Sequence, residues 1–462
     1  MRNEVQPRPR KAGPIGIAFL LLAGLCLGQT TVSMSPKDGP PTTTLRVSGS
    51  GFTPYSQIDI YFDSQDQALV VADATGTFSQ FAIQAPKSAV PGNHWVTAAE
   101  RSGGRVKQEI FKVHVNWTEF LTKDMHRENP YENVLGVDNV GDLNVKWTYP
   151  TGGLVYSSPA VVNGVAYFGS NDHNVYAVNI GTGTLLWNYS TGYSVYSSPA
   201  VVNGVVYVGS GDGNVYALNA ATGEKIWSSS ISSVYHSPLA VAKGMVYVCS
   251  LEQYEYVAYA LDAETGALKR RRKVGGINEG GACSPAVDGG RVYVGGTGIS
   301  AYATNTGALV WNYPSLVLDS GLAVGNGAVY AGCDDGYVYA LDASSGVLLW
   351  AFSAAGYLDS TPAVANGVVY IGVHPNGPGD ISDVNRHLYA LDATTGAQLW
   401  SYQTGVGIYS SPTVVNGVVY LGEGYFLYAF GLPHGLSPQP PKRPDPKTLR
   451  PDFNLKPVSA ND

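Results

Sequence analysis

The chain has 462 residues, enough for two or three domains, and only 14% of them are charged. With 56 glycines and 31 tyrosines it has the composition of a turn-rich all-β protein, and its net charge of −7 argues against general nucleic-acid binding. There are 4 cysteines, none in a CxxC pair that would suggest zinc. Cys249, Cys283 and Cys333 fall in different repeats, so they read as buried or half-buried thiols and not as a disulfide framework.

In chain order, residues 1–28 carry Arg2, Arg8, Arg10 and Lys11, then the apolar run Ile15 to Leu27. That run is shorter than the roughly 20 residues a bilayer-spanning helix needs. A secretory signal peptide cut at Gly28–Gln29 is expected, so the mature chain is exported to a periplasm, a cell surface or the medium. An uncleaved anchor is the alternative and would be its only membrane contact. Leu25 stands where a lipoprotein signal wants a small residue, which argues against lipidation at Cys26. Residues 30–116 alternate short strands with Gly/Pro turns at the spacing of a β-sandwich. The segments GSGF and PGNHWVTA resemble the immunoglobulin-like modules of IPT/TIG type found on bacterial surface proteins. A spacer is the plain role for such a unit. Residues 117–142 show no period and read as a linker packed on the rim of the repeat region.

Residues 143–431 repeat. The proline of an SSPAV-like opening returns as Pro159, Pro199, Pro238, Pro285, Pro362 and Pro412, with Leu322 in register, at a spacing of roughly 40 residues. One copy, Ser197 to Trp227, reads as four strands. Asn203-Gly204 is the dipeptide of a tight hairpin turn, Gly211-Asp212-Gly213 breaks the chain again, and Asn219 with Gly223 forms a third turn before Trp227. The fourth-strand tryptophan recurs as Trp187, Trp227, Trp311, Trp350 and Trp400, but the third copy has Arg270 there. The last copy stops at Phe430 with three strands, and its fourth is found in Leu143 to Tyr149, with Trp147 in register. The expected fold is a seven-bladed β-propeller closed by an N-terminal strand and preceded by the immunoglobulin-like β-sandwich. Residues 432–462, rich in proline, are expected to be disordered or polyproline II.

The pattern LDATTGxxLW followed by SSPxVxNGVVYxG resembles the pyrroloquinoline-quinone-like, or tryptophan-motif, repeat across all of 143–431. The resemblance implies a β-propeller and does not by itself imply quinone binding. Quinoprotein dehydrogenases of this type use eight blades, calcium, a catalytic aspartate and often adjacent cysteines. This chain has seven inferred blades and no adjacent cysteines, and no catalytic residue of theirs carries over. GxSxG, HExxH, phosphate-loop and EF-hand patterns are also missing. No cofactor and no metal site is expected.

One constellation suggests binding. The residue three before each repeat proline enters the innermost strand near the channel mouth: Tyr156, Tyr196, Tyr235, Ala282, Asp319, Asp359 and Tyr409, with His236 beside Tyr235. Tyrosines in four neighbouring blades would face two aspartates across the opening. Flat rings with hydroxyl tips and a carboxylate pair suit a sugar, a peptide or a cation. The plain alternative is repeat-consensus packing, with the aspartates capping turns. Lys269, Arg270, Arg271, Arg272 and Lys273 form a basic run on an acidic chain, which suits an anionic partner or a solvated outer strand. In blade four Ala303 replaces the turn aspartate, and blade six carries the insertion His374 to Asn385.

The function these features support is an exported, non-enzymatic, monomeric binding or scaffold module for a partner protein or glycan of the cell envelope. In repeat type it resembles the outer-membrane assembly lipoproteins. A quinone- or metal-dependent oxidoreductase and a purely structural spacer are the alternatives.

Overall fold

The computed structural model describes residues 29–120, 126–232, 234, 237–252, 255–276, 285–314, 316, 318, 320–375 and 386–459. Among them it is all-β, with no α-helix. Among the described residues no helix is long and apolar enough to cross a membrane, and the expected signal at 1–28 lies outside them.

The N-terminal unit is two packed sheets. Thr31–Ser35, Thr44–Ser50 and Phe78–Gln84 make one. Asp38–Gly39, Val106–Val113, Gly92–Glu100, Gln57–Phe62 and Gln65–Val71 make the other. Side chains alternate across each strand, so Leu45 and Val47 from one sheet meet Ile58, Ile60, Val96 and Phe111 from the other in a single core.

The proline-rich tail, expected to be disordered or polyproline II, is docked on the N-terminal unit over its described residues. Arg443 Nε donates to Gln108 Oε1 at 2.6 Å, and its guanidinium lies over the Trp95 ring. The Asp452 N–H donates to Asp66 Oδ2, and Pro457–Ser459 pairs in parallel with Gln65–Val71 as the sheet's last strand. Proline fixes φ before docking, so a proline-rich segment loses little entropy when it is held extended. Its carbonyls find donors on the module, as where Gln108 Nε2 meets Pro444 O.

Among the described residues the repeats form four-stranded sheets, the sheets of a β-propeller, and the one that begins at Ala363 is widened to five strands by Glu128–Asn129 of the preceding segment. In one of them Ala200–Val202, Val205–Gly209, Asn214–Asn219 and Lys225–Ser230 meander in chain order. The Asn-Gly turn is as read from sequence: Asn203 and Gly204 have φ of 52° and 77°. The strand Asn144–Pro150 pairs antiparallel with Phe426–Gly431, setting Tyr149 opposite Leu427. The first strands of successive sheets lie side by side around an axis, and Ala160–Val162 also neighbours Thr413–Val415.

One contact recurs between sheets. The tryptophan of the outer strand and the tyrosine of the second strand converge on one carbonyl of the next sheet. Trp187 Nε1 and Tyr167 Oη donate to Ala220 O, Trp227 and Tyr207 to Ala263 O, Trp311 and Tyr293 to Ala343 O, and Trp350 and Tyr330 to Ala393 O, all at 2.9–3.1 Å. Trp147 and Trp400 reach Ile180 O and Leu143 O. The indole face then rests on the left-handed glycine of the neighbour's last turn. A Cβ added at Gly223, with φ +76°, would stand 2.7 Å from the Trp187 ring. The sheet carrying Arg270 has no such dock: Gly307, at φ +69°, faces nothing within 4 Å, and Tyr247 is 42% exposed where its counterparts are buried.

The segment after the N-terminal unit also departs from expectation. It does not lie on the rim but runs into the axis, where the first strands leave backbone groups unpaired. Trp117 exchanges both backbone hydrogen bonds with Val161. The Val201, Val324 and Val364 N–H groups donate to the carbonyls of Thr118, His126 and Arg127, and the Val241 N–H donates to Glu119 Oε2. Asn129 Nδ2 donates to Val414 O. Arg127 is wholly buried: its guanidinium donates to Pro362 O, Phe120 O and Pro412 O and lies over the Phe120 ring, and burial lowers its pKa to about 9. Unpaired backbone groups at the axis are costly out of water, and an extended segment supplies their partners.

Two outcomes test these contacts. Both glycines are left-handed, so Gly223→Ala and Gly307→Ala share the backbone strain, but only the first drives a methyl into an indole. Gly223→Ala should destabilise by about 1–3 kcal/mol more than Gly307→Ala, read as a difference in Tm. Arg127→Ala strips donors from three carbonyls and should cost about 3 kcal/mol or more. Hydrogen exchange at the Val364 and Val324 amides should accelerate with it.

Candidate binding site at the channel mouth

The mouth opposite the linker is framed by the SSP segments, each of which does two structural jobs. The first serine ties its loop to its own sheet: Ser197 Oγ donates to Gly209 O and accepts from Gly209 N–H, both at 2.8 Å, and Ser410 does the same with Gly422. The second hydroxyl caps the preceding sheet. Gly321 N–H donates to Thr361 Oγ1, Thr361 N–H to Ser411 Oγ, Ser411 N–H to Ser158 Oγ and Ser158 N–H to Ser198 Oγ, all at 2.8–3.0 Å. This belt passes through five successive sheets and fixes the residues just before it.

Those residues include the tyrosines. Tyr196 and Tyr156 have ring centroids 6.0 Å apart, and Tyr156 meets Tyr409 edge-to-face at 4.8 Å. The arc continues into a residue that sequence reasoning did not assign to it. His374 stacks on Tyr409 at 4.4 Å, and its Nε2 lies 3.1 Å from Asp359 Oδ2. Tyr357 flanks the imidazole at 5.7 Å and exchanges backbone hydrogen bonds with His374. Thus Asp359 does not stand across the opening from the tyrosines; it sits beside Tyr409, with His374 between sheets. His374 opens the insertion after the strand Val368–Gly372, and only that irregularity marked it in the sequence.

Burial raises the phenol pKa of Tyr156, helped by Tyr409, Tyr196 and Tyr425 nearby. Burial and the Asp359 charge raise that of Tyr409. Both rings therefore stay neutral donors at ordinary pH, with Tyr409 37% exposed. Neutral hydroxyls, ring faces and one carboxylate–imidazole pair can hold a polar chain against flat apolar surface. Tyr235, His236 and Asp319 lie outside the described residues, as does Cys283.

The basic run lies on the strand Leu268–Gly276, away from the mouth. Lys269 pairs with Asp262 at 3.3 Å, Arg271 with Glu252 and Lys273 with Glu255. Alternation puts these three on one face against acids of the adjacent strand, and Arg270 and Arg272 on the other. Cys249 and Cys333 are free thiols whose pKa burial raises.

A quinone held with calcium needs a converging set of donors. Among the described residues no three His, Cys, Asp or Glu side chains converge to hold a metal ion. The described residues do not fit that group.

The electrostatic coupling at the mouth can be measured. Asp359→Asn removes the charge that opposes phenolate formation, so the Tyr409 titration should move to lower pH. Tyr167, whose shift comes from burial alone, should not move. Tyrosine-labelled NMR titration of the parent and the variant reads this directly.

Several solved structures share features of this fold. A europium-containing methanol dehydrogenase is 15% identical, with 69% of this chain and 98% of that chain covered at a TM-score of 0.46. A quinohemoprotein alcohol dehydrogenase from Comamonas testosteroni is 18% identical, with coverages of 71% and 82% and a TM-score of 0.46. BamB from Moraxella catarrhalis is 18% identical, with coverages of 63% and 98% and a TM-score of 0.41. Likenesses this distant say nothing of what the chain binds or does. No curated protein matches the sequence. The family model described as outer membrane protein assembly factor BamB matches residues 194–317 and 297–430. Those matches together span more than half of the chain, so this protein belongs to the BamB family of quinone-like repeat propellers.

Proposed function

We propose that this chain is an exported, non-enzymatic binding scaffold that holds an extended segment of a partner protein against the tyrosine mouth of a seven-bladed propeller. In this reading Leu143 to Tyr149 completes the last blade, and the N-terminal sandwich is an immunoglobulin-like spacer. The observation that carries it is the unbroken arc Tyr196–Tyr156–Tyr409–His374–Asp359 at one end of an axis whose other end the linker occupies. Exposed, rigid aromatics beside a carboxylate are what protein interfaces use as anchors. The family description, an assembly factor for outer membrane proteins, favours a protein partner over a glycan. The start of the chain, basic and then apolar, supports export. The basic strand adds little to this reading, because Lys269, Arg271 and Lys273 are neutralised by their own sheet. A quinone enzyme is disfavoured by the donor set.

The test is a binding screen of the full chain against extended peptides with alternating aromatic and polar residues, run beside peptidoglycan fragments. Tyr156→Ala with Tyr409→Ala should weaken peptide binding by about 30-fold or more, the loss expected when an aromatic anchor is removed. Equal affinity for parent and double variant, or binding of the glycan fragments alone, would overturn the reading.

A further inference from the structure

The docked tail crosses two acids of the N-terminal unit that are served unequally. Asp59 and Asp66 lie on the paired strands Gln57–Phe62 and Gln65–Val71, and their side chains are 1% and 3% exposed. One guanidinium lies beside both. Arg101 Nε donates to the two oxygens of Asp59, at 3.0 and 3.1 Å, and Nη2 donates to Asp59 Oδ1. Asp66 Oδ2 stands 4.0 Å from that Nη2, too far for a hydrogen bond, and Asp66 Oδ1 has no hydrogen-bond partner. Two buried carboxylates sharing one cation leave a negative charge uncompensated, and a proton on Asp66 removes it.

The tail is fastened at this same place. The Asp452 N–H donates to Asp66 Oδ2 at 2.8 Å, and Arg101 Nη2 donates to Asp452 O at 3.2 Å. The guanidinium also lies over the Phe453 ring, 5.3 Å from its centroid. A few residues on, Pro457–Ser459 pairs with Leu69 to Val71 of the strand that carries Asp66, which is otherwise the edge of its sheet. The ionisable groups facing Asp66 are Asp59 and Tyr61 from one strand and Arg101 from the end of another. Burial, with the Asp59 charge, outweighs the Asp452 and Ala68 N–H groups and Arg101, and pushes the Asp66 carboxyl up to about 6.

We propose that the tail is a proton-linked strap: a proton on Asp66 favours its docking, and loss of that proton as the pH rises loosens it and uncovers the edge of Gln65–Val71. With the tail lifted that edge meets water, and Asp66 returns toward the ordinary carboxyl range of about 4. Docking therefore takes up a proton. It is strongest below pH of about 4 and weakens as the pH rises through about 6, with a roughly tenfold fall in the docking equilibrium between pH 5 and 7.5. The strap is separate from the tyrosine mouth and stands or falls apart from it.

The experiment is limited proteolysis of the full chain at pH 5 and 7.5, with each rate divided by that of an unstructured reference peptide. Cleavage in the tail tracks the fraction of it that is lifted. In the parent the normalised rate within residues 440–459 should be about tenfold higher at pH 7.5 than at pH 5. Asp66→Asn keeps an acceptor for the Asp452 N–H and cannot ionise, so its rate should be the same at both. Asp59→Asn frees Arg101 for Asp66 and should shrink the tenfold ratio by a second route. Gln108→Ala removes the bonds to Arg443 and Pro444 and should raise both rates while leaving the ratio intact. The proposal is wrong if the parent's rate does not change with pH, or if its tail is cut as fast as the reference peptide at pH 5. It is equally wrong if the Asp66 and Asp59 variants keep the parent's ratio.

Discussion

Everything in the ring depends on how one sheet is fastened to the next. A β-sheet with two apolar faces cannot stand alone, and here an indole bolts one sheet to the next, at four junctions together with a phenol that shares its carbonyl. The direction of that bond sets the angle between sheets, and the glycine beneath the indole sets their distance. Truncating a buried tryptophan typically costs about 3–5 kcal/mol. The indole bond recurs at six junctions among the described residues, so no single loop is needed to hold the ring. That leaves the loops free to vary, which is why the mouth can carry irregular side chains on a regular frame. The junction after Arg270 is the exception. It lacks the dock, and it is also where the serine belt breaks pattern, with Ser237 Oγ accepting from Cys249 N–H in its own sheet.

The axis shows a second kind of economy. Propeller sheets meet at their first strands, each of which turns one backbone edge inward. The linker meets those edges with carbonyls, one glutamate and one asparagine, drawn from a run of thirteen positions between Trp117 and Asn129. Arg127 sits at the centre of this arrangement, held by three carbonyls and an aromatic face. A guanidinium suits this place because its donors fan out in a plane toward several acceptors at once. The two ends of the axis thus differ in kind, one occupied by the chain's own backbone and one lined with rings.

The sequence made the ring legible for a physical reason. Asn-Gly turns, left-handed glycines and spaced tryptophans are local demands, and each copy states them again. The pairing of Leu143 to Tyr149 with the last strand was legible too, because Trp147 kept register. The linker's role was not, since its bonds are made by main-chain atoms that leave no mark on residue type. The tail's docking was not legible, because proline richness fits disorder and an extended segment alike, and the partners that hold it, Trp95, Gln108 and Asp66, lie far away in the sequence. At the mouth, the tyrosines were legible from their offset to the repeat proline, but His374 was not. It sits in an insertion, outside the register that made its neighbours visible, and it moves Asp359 from the far side of the opening to a place beside Tyr409.

The strand Pro457–Ser459 has a consequence for how the molecule comes into being. It borders a sheet whose other members were synthesised some four hundred residues earlier. That sheet keeps one flank uncovered until residues 457–459 are available, so a module begun within the first hundred residues is closed by a strand made after all the repeats.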